Sequence, residues 1–148
     1  SLCGSFIRFI GNVTTYKNWV NDTDHEPLKI GLLFNNVFCH PSVMYRKSII
    51  DEYQLLYNTN FEPAEDYELW VRISNISRIH NLPEILLYYR AGDHQVSQIH
   101  NSKQQIQKLK IIKEQLMTLN LDATSEQLDT HFRLYSKNIA ITADYMPK

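Results

Sequence analysis

The stretch EDYELWVRI, Glu65 to Ile73, decides how this chain is read. At about 100° per residue it predicts a helix with Leu69, Trp70, Ile73 and, further on, Ile76 along one apolar stripe. Glu68 and Arg72 pair at i, i+4 on a wetter side. Asp66 breaks the pattern. It lies three and four residues before Leu69 and Trp70 and points near the middle of the stripe, while Glu65 sits at its edge. A carboxylate on a buried face must be protonated, paired or put to use, because an unpaired buried charge is costly. Both acids fall in the first turn behind Pro63, where the helix dipole stabilises an anion. Two readings are open: a capping pair of the kind common at helix starts, or a general base held at the rim of a core.

Upstream of this helix, YNTN marks a turn, and Ser48 with Asp51 reads as a capping box for a helix from Ile49 to Leu56 with Ile49, Ile50 and Tyr53 inward. The run VFCHPSVMY, Val37 to Tyr45, is β-rich and apolar on both faces, a strand with a break or bulge at Pro41. His40 within it is either a core histidine satisfying a hydrogen bond or a residue facing a ligand. Pro27 suits the first position of a short helix, capped by Glu26 or His25, with Leu28, Ile30, Leu32, Leu33 and Phe34 as its apolar side and Asn35 and Asn36 at its end. The opening SLCGSFIRFIG, with Phe6, Ile7, Phe9, Ile10 and Val13, reads as a strand or hairpin arm met without a lead-in. The expectation is a chain that begins inside a larger fold.

Downstream, Ile79 starts an extended stretch and Pro83 opens a second one. Ile85 to Tyr89 is a near-continuous apolar run, as expected of a strand covered on both faces inside a sheet. It leads to Arg90 and then a loop with His94 and Ser97, where a guanidinium and an imidazole would hold a phosphate or a metal, unless the loop is a solvated turn. From Asn101 to Asn120, Ile106, Leu109, Ile112 (or Ile111), Leu116 and Leu119 recur at helical spacing over a Lys/Gln-rich face. Thr124-Ser-Glu-Gln opens a further helix through Leu128, Phe132 and Leu134 or Tyr135. These helices suit packing on the sheet or on a partner, since QQIQKLKIIKEQL lacks the aromatic anchors of a membrane-surface helix.

The 148 residues, 43% of them hydrophobic, suffice for one domain with a real core. Fifteen basic against sixteen acidic side chains leave no footprint for nucleic acid. Cys3 and Cys39 are too few for a disulfide framework and lack metal-site spacing, so a reducing compartment is expected; sequons at Asn12, Asn21 and Asn75 then carry no weight. No apolar run approaches the ~18 residues that cross a bilayer, and a soluble chain is expected.

Taken together, CHPSVMYRKSII, NTNFEPAEDYELWVRIS and IHNLPEILLYYRAGDHQVS resemble the C-terminal half of the catalytic domain of bacterial family-2 glycosyltransferases, inverting enzymes of the GT-A fold. The matching positions are His40 to Arg46, Glu65 to Trp70 and Leu87 to Ser97, in order. The resemblance implies an α/β fold: a partial GT-A-like mixed sheet flanked by helices over residues 1–100, then a C-terminal helical extension over 101–148, packed on it or on a partner. It implies that Asp66 is the general base that deprotonates the acceptor hydroxyl, with Glu65 the alternative. Arg90, His94, His40 and Trp70 would then lie near the donor diphosphate or the acceptor, with His94 near a divalent metal, Mg or Mn. The family's metal-holding Asp-x-Asp ends a buried strand; Asp22-Thr23-Asp24 sits in a polar loop ahead of Pro27 and reads as a decoy. The expected protein is therefore the acceptor-side part of an enzyme, inactive alone and binding no metal itself. In the parent, a nucleotide-sugar donor and a glycan or lipid-linked acceptor meet in the cytoplasm or at the inner face of the membrane. The alternative is a non-catalytic binding or dimerisation module, a homo-oligomer built on that fold.

Overall fold

The computed structural model describes residues 1–11, 18–91 and 101–135, excepting the side chains of residues 91, 101 and 135. Its sheet is built on β1 (Leu2–Gly11), in which Leu2, Gly4, Ser5 and Ile7 are buried, the buried parity changing after Gly4. On one edge β1 pairs in parallel with β4 (Ile79–Ala91), from Leu2 opposite Ile79 to Gly11 opposite Ala91. On its other edge it pairs antiparallel with β3 (Met44–Tyr45) and with β2 (Asn18–Trp19). The sheet is therefore mixed, with β1 at its centre and β4 along one edge among the described residues. Gly4 is required by close approach, since a Cβ there would collide with Asn81 Oδ1 and the Phe38 ring.

Pro83 does not divide β4 into two strands. The register slips from Ser5/Leu82 to Phe6/Ile85 and Ile7/Leu87, so Pro83 falls in a bulge where no ladder N–H is demanded of it. The expected two-sided burial of Ile85 to Tyr89 does not occur. Ile85, Leu87 and Tyr89 are half-buried while Leu86 and Tyr88 are 59% and 61% exposed, because among the described residues β4 pairs only with β1 and has one covered face.

Five helices pack against this sheet and one another: α1 (His25–Gly31), α2 (Lys47–Tyr53), α3 (Glu65–Ile76), α4 (Asn101–Thr118) and α5 (Ser125–Tyr135). Tyr67, Leu69, Trp70 and Ile73 of α3 join Leu2 and Ile79 of the sheet in one buried cluster, which Ile111, Ile112 and Leu116 of α4 and Leu128 of α5 also enter. At about 25 cal/mol per Å² of apolar area, each fully buried Leu or Ile contributes roughly 1.5–3 kcal/mol, so α4 is stabilised largely by that insertion. Thr124 caps α5 as expected: its Oγ1 accepts from Gln127 N at 3.3 Å, and Gln127 Oε1 accepts from Thr124 N at 2.9 Å.

Several local expectations give way. α1 starts at His25 with Asp24 as N-cap, placing Pro27 third in the helix, still within the turn that needs no N–H donor. No capping box forms at Ser48; the cap is Arg46, and Asp51 pairs with Lys47 at 2.6 Å on the exposed side of α2, where Tyr53 also points outward. Val37 to Tyr45 is not a strand before Met44. Val37, Phe38 and Cys39 are buried, but Asn21 Nδ2 donates to Val37 O at 2.9 Å and Asn36 Oδ1 accepts from Phe38 N at 3.0 Å. Side-chain amides thus take the place of a ladder, and a 3-10 turn at His40–Ser42 completes the break at Pro41. Ile76 ends its helix and is 41% exposed rather than buried.

Candidate active site

α3 begins where a 3-10 turn, Thr59–Phe61, drives Phe61 into the core and Ala64 serves as N-cap. Ala64 offers no side-chain acceptor, so the first N–H groups of the helix need other partners. Asp66 supplies one: its Oδ1 accepts from Tyr67 N at 2.7 Å. Its Oδ2 accepts from Asn36 Nδ2 at 3.0 Å, which ties the carboxylate to the segment after α1. Asp66 is half-buried, and each oxygen keeps lone pairs beyond those two bonds. The capping role and a held acid therefore coincide in one side chain. Beside it, Glu65 Oε2 is buried without a hydrogen-bond partner among the described residues. Glu68 and Arg72 pair at 2.7 Å as the spacing predicts, and Arg72 also donates to Leu56 O at 2.6 Å, holding the chain ahead of the helix.

One turn along α3, Trp70 lies under a groove of about 430 Å³ lined also by His40, Pro41, Val43, Tyr45 and Tyr57. Trp70 is fully buried, with its ring centroid 6.0 Å from that of His40 and 6.2 Å from that of Tyr45. Its Nε1 has no acceptor among the described residues. His40 is not a core histidine: it stands exposed on the 3-10 turn, its Nε2 3.0 Å from Tyr57 Oη across the groove. Burial pushes the Tyr57 phenol up, and the nearby Tyr45, Asp66 and Glu65 push it further. The charge of both carboxylates is thus felt at Tyr57, although neither lines the groove.

α4 closes the other flank. Gln104 Nε2 donates to Pro63 O at 2.9 Å and Lys110 Nζ lies 4.3 Å over the Phe61 ring. Between them Lys108 is half-buried; burial lowers its pKa and the Asp66 charge opposes that. Cys39, also near Asp66, is pushed up to about 12, first by burial and then by the Asp66 charge, so its thiol stays protonated and unreactive at neutral pH.

Arg90 lies on the last strand of the sheet. It is exposed near the end of β4, and strand alternation puts it on the face of Leu86 and Tyr88, opposite Tyr89, whose phenol is raised by burial and then by Cys39. His94 lies outside the described residues, as do Val13 and Ser97. No three of His, Cys, Asp or Glu among the described residues come together as metal ligands. Asp22 and Asp24 are exposed, and Asp24 Oδ1 is 3.9 Å from His80 Nδ1. Sequence reasoning missed Asn36, Tyr45, Tyr57 and Lys108. Only Lys108 left a signal, falling four residues after Gln104 and four before Ile112 on the inward stripe of α4.

A mixed sheet flanked by helices, with an acidic pair at a helix start beside an aromatic groove, defines an α/β protein with a place for a small polar molecule. The chain is 30% identical over 98 residues to an uncharacterized glycosyltransferase of Haemophilus influenzae, covering 66% of this chain and 30% of that protein. It is 35% identical over 107 residues to the O-antigen biosynthesis glycosyltransferase WbnJ of Escherichia coli, covering 70% of this chain and 38% of that one. The chain thus spans about a third of the length of the curated relatives it matches, and is homologous to part of two bacterial glycosyltransferases. No family model matches it. No solved structure does either. No helix among the described residues is long and apolar enough to cross a membrane.

Proposed function

We propose that this chain is the acceptor-side part of an inverting family-2 glycosyltransferase of the GT-A fold, working on a glycan or lipid-linked acceptor, and that Asp66 is its general base. As the acceptor oxygen bonds to the anomeric carbon of a nucleotide sugar, the bond from that carbon to the diphosphate breaks and the acceptor's proton passes to Asp66. The nucleoside diphosphate leaves as the second product. Arg90 and His94 are proposed to approach the donor's diphosphate, and Glu65 to support the base. The observation that carries this reading is the half-buried Asp66 carboxylate, held at one oxygen by Asn36 and at the other by the Tyr67 N–H, beside an aromatic groove. A base needs position first, and two hydrogen bonds fix this one.

The test is transfer from nucleotide sugars by the full-length protein carrying Asp66→Asn. Loss of about 100-fold or more in kcat, with an unchanged melting temperature, is expected. Retention of more than about a third of the wild-type rate overturns the assignment.

A further inference from the structure

Asp66 is the last acceptor in a series of amides that starts in the sheet. The peptide group between Val37 and Phe38 stands in the middle of it. Its carbonyl accepts from Asn21 Nδ2 at 2.9 Å and from Asn81 Nδ2 at 3.4 Å, and its N–H donates to Asn36 Oδ1 at 3.0 Å. Asn36 Nδ2 in turn donates to Asp66 Oδ2 at 3.0 Å. Every donor in the series points toward the carboxylate, so each bond polarises the next in the same sense. The orientation of the Asn36 amide is settled as well: turned over, its oxygen would meet the Asp66 oxygen and its NH2 group the Phe38 N–H.

The far end of the series is built into the sheet. Asn81 lies on β4 opposite Gly4 of β1 and is 2% exposed. Its backbone N–H donates to Thr23 O at 3.0 Å, and its Nδ2 is shared between Val37 O and Asp22 O, the latter at 3.3 Å. A Cβ at position 4 would collide with both this amide and the Phe38 ring. Asn81 Oδ1 has no partner among the described residues, so the buried amide is a costly way to stabilise the chain. Keeping the segment in place does not require it either, since Val37, Phe38 and Cys39 are buried and burial is non-directional. What burial leaves free is the rotation of the Val37–Phe38 peptide plane about the chain, and the two asparagines fix that rotation. We propose that Asn21 and Asn81 are positioning residues for Asp66, acting through the Val37–Phe38 peptide and Asn36. The inference rests on Asp66 being the general base and adds how its carboxylate is aimed; a displacement of about 1 Å in a reacting group costs as much as ~100-fold in rate.

The test is the kinetics of the full-length protein, followed as nucleoside diphosphate released from UDP- and GDP-linked sugars. Asn21→Ala is expected to lower kcat about fivefold and Asn81→Ala, which gives up the longer bond, about threefold, with KM within about twofold of wild type. Each single variant leaves one donor on the Val37 carbonyl and keeps the buried apolar side chains around it, so both fold. Leu128→Ala, in α5 and outside the series, is the control for lost stability: it lowers the melting temperature and holds kcat within about twofold. Added to Asn36→Ala, either asparagine substitution is expected to cost less than about 1.5-fold more, because residues that act through one another do not add. The proposal is overturned if both single variants keep kcat within about 1.5-fold of wild type, if their losses multiply with that of Asn36→Ala, or if Leu128→Ala at an equal fall in melting temperature loses kcat as far. Asp66→Asn decides the base separately. An active Asp66→Asn protein removes the base and this inference with it, while an inactive one beside unimpaired Asn21→Ala and Asn81→Ala removes the positioning series alone.

Discussion

Two of the acidic pairs in this chain, Asp22 with Asp24 and Glu65 with Asp66, have surroundings that differ in every respect that matters to chemistry. Around Asp22 and Asp24 the working groups are backbone carbonyls: Asp22 O takes Asn81 Nδ2 at 3.3 Å, Thr23 O takes Asn81 N at 3.0 Å, and Asp24 O takes the Leu28 N–H at 3.1 Å. The two side chains stand in water, where a carboxylate is well solvated and held in no single position. Asp66 is half-buried, bonded at both oxygens, and shares its neighbourhood with a buried thiol, a phenol and an ammonium that respond to its charge. Spacing alone makes the first pair look more like a metal or diphosphate site than the second. Burial, fixed partners and an adjoining groove are what give a carboxylate a task.

The contrast is broken most directly by comparing Asp66→Asn with Glu65→Gln in the full-length protein. A fall of about 10²–10⁴-fold in kcat is expected for the first and about tenfold for the second; equal effects would show that the pair acts as one unit. Trp70→Ala removes the floor beneath the groove, and should destabilise the chain by about 3–5 kcal/mol in urea unfolding, as for other fully buried aromatics. Asn36→Ala unties Asp66 and leaves the Phe38 N–H without its acceptor, a loss of about 1–2 kcal/mol. It should lower kcat about tenfold with KM little changed, the signature of a group that positions the base.

A pH measurement sharpens the contrast further. The Cys39 thiol ionises near 9 when unfolded and at about 12 when folded, so the unfolded chain releases its proton first as pH rises. The stability this thiol contributes is therefore complete below 9 and is lost as pH climbs toward 12, by about 1 kcal/mol per pH unit. Unfolding free energies of wild type and Cys39→Ala, compared across that window, should converge as pH rises. The smallest effect belongs to the exposed pair: Asp22→Ala with Asp24→Ala should change stability by no more than about 0.5 kcal/mol and transfer by less than about twofold. A large loss of transfer would make that loop part of the enzyme's site.

Much of the helical skeleton was legible in the residues. α3 carries a strong apolar stripe and an i, i+4 ion pair, and α5 carries a capping box; both interactions form because they are local and need no distant partner. The segment from Val37 to Cys39 misled for the opposite reason. Its apolar run is genuinely buried, but Asn21, Asn36 and Asn81, distant in sequence or read as a helix stop, satisfy its backbone. The apolar run of β4 likewise cannot say which of its faces is covered, since that depends on where neighbouring elements lie. At the site, Asp66 was legible as an acid on an apolar face. Its tether Asn36 and the groove walls Tyr45 and Tyr57 were not, because three separate turns of chain bring them together.

The parallel pairing of β1 with β4 sets a condition on how this protein is made. Leu2 meets Ile79 only after roughly 80 residues of intervening chain, which at ribosomal rates of about 5–20 residues per second leaves β1 without its main partner for roughly 4–15 s. For that interval an apolar strand waits with one edge open, a risk of wrong pairing that rises with temperature and expression rate. Pulse-labelling hydrogen exchange during refolding should show β1 and β4 amides gaining protection in one phase, later than those of α3. Protection of β1 ahead of β4 would mean that the nascent strand finds a temporary shelter elsewhere.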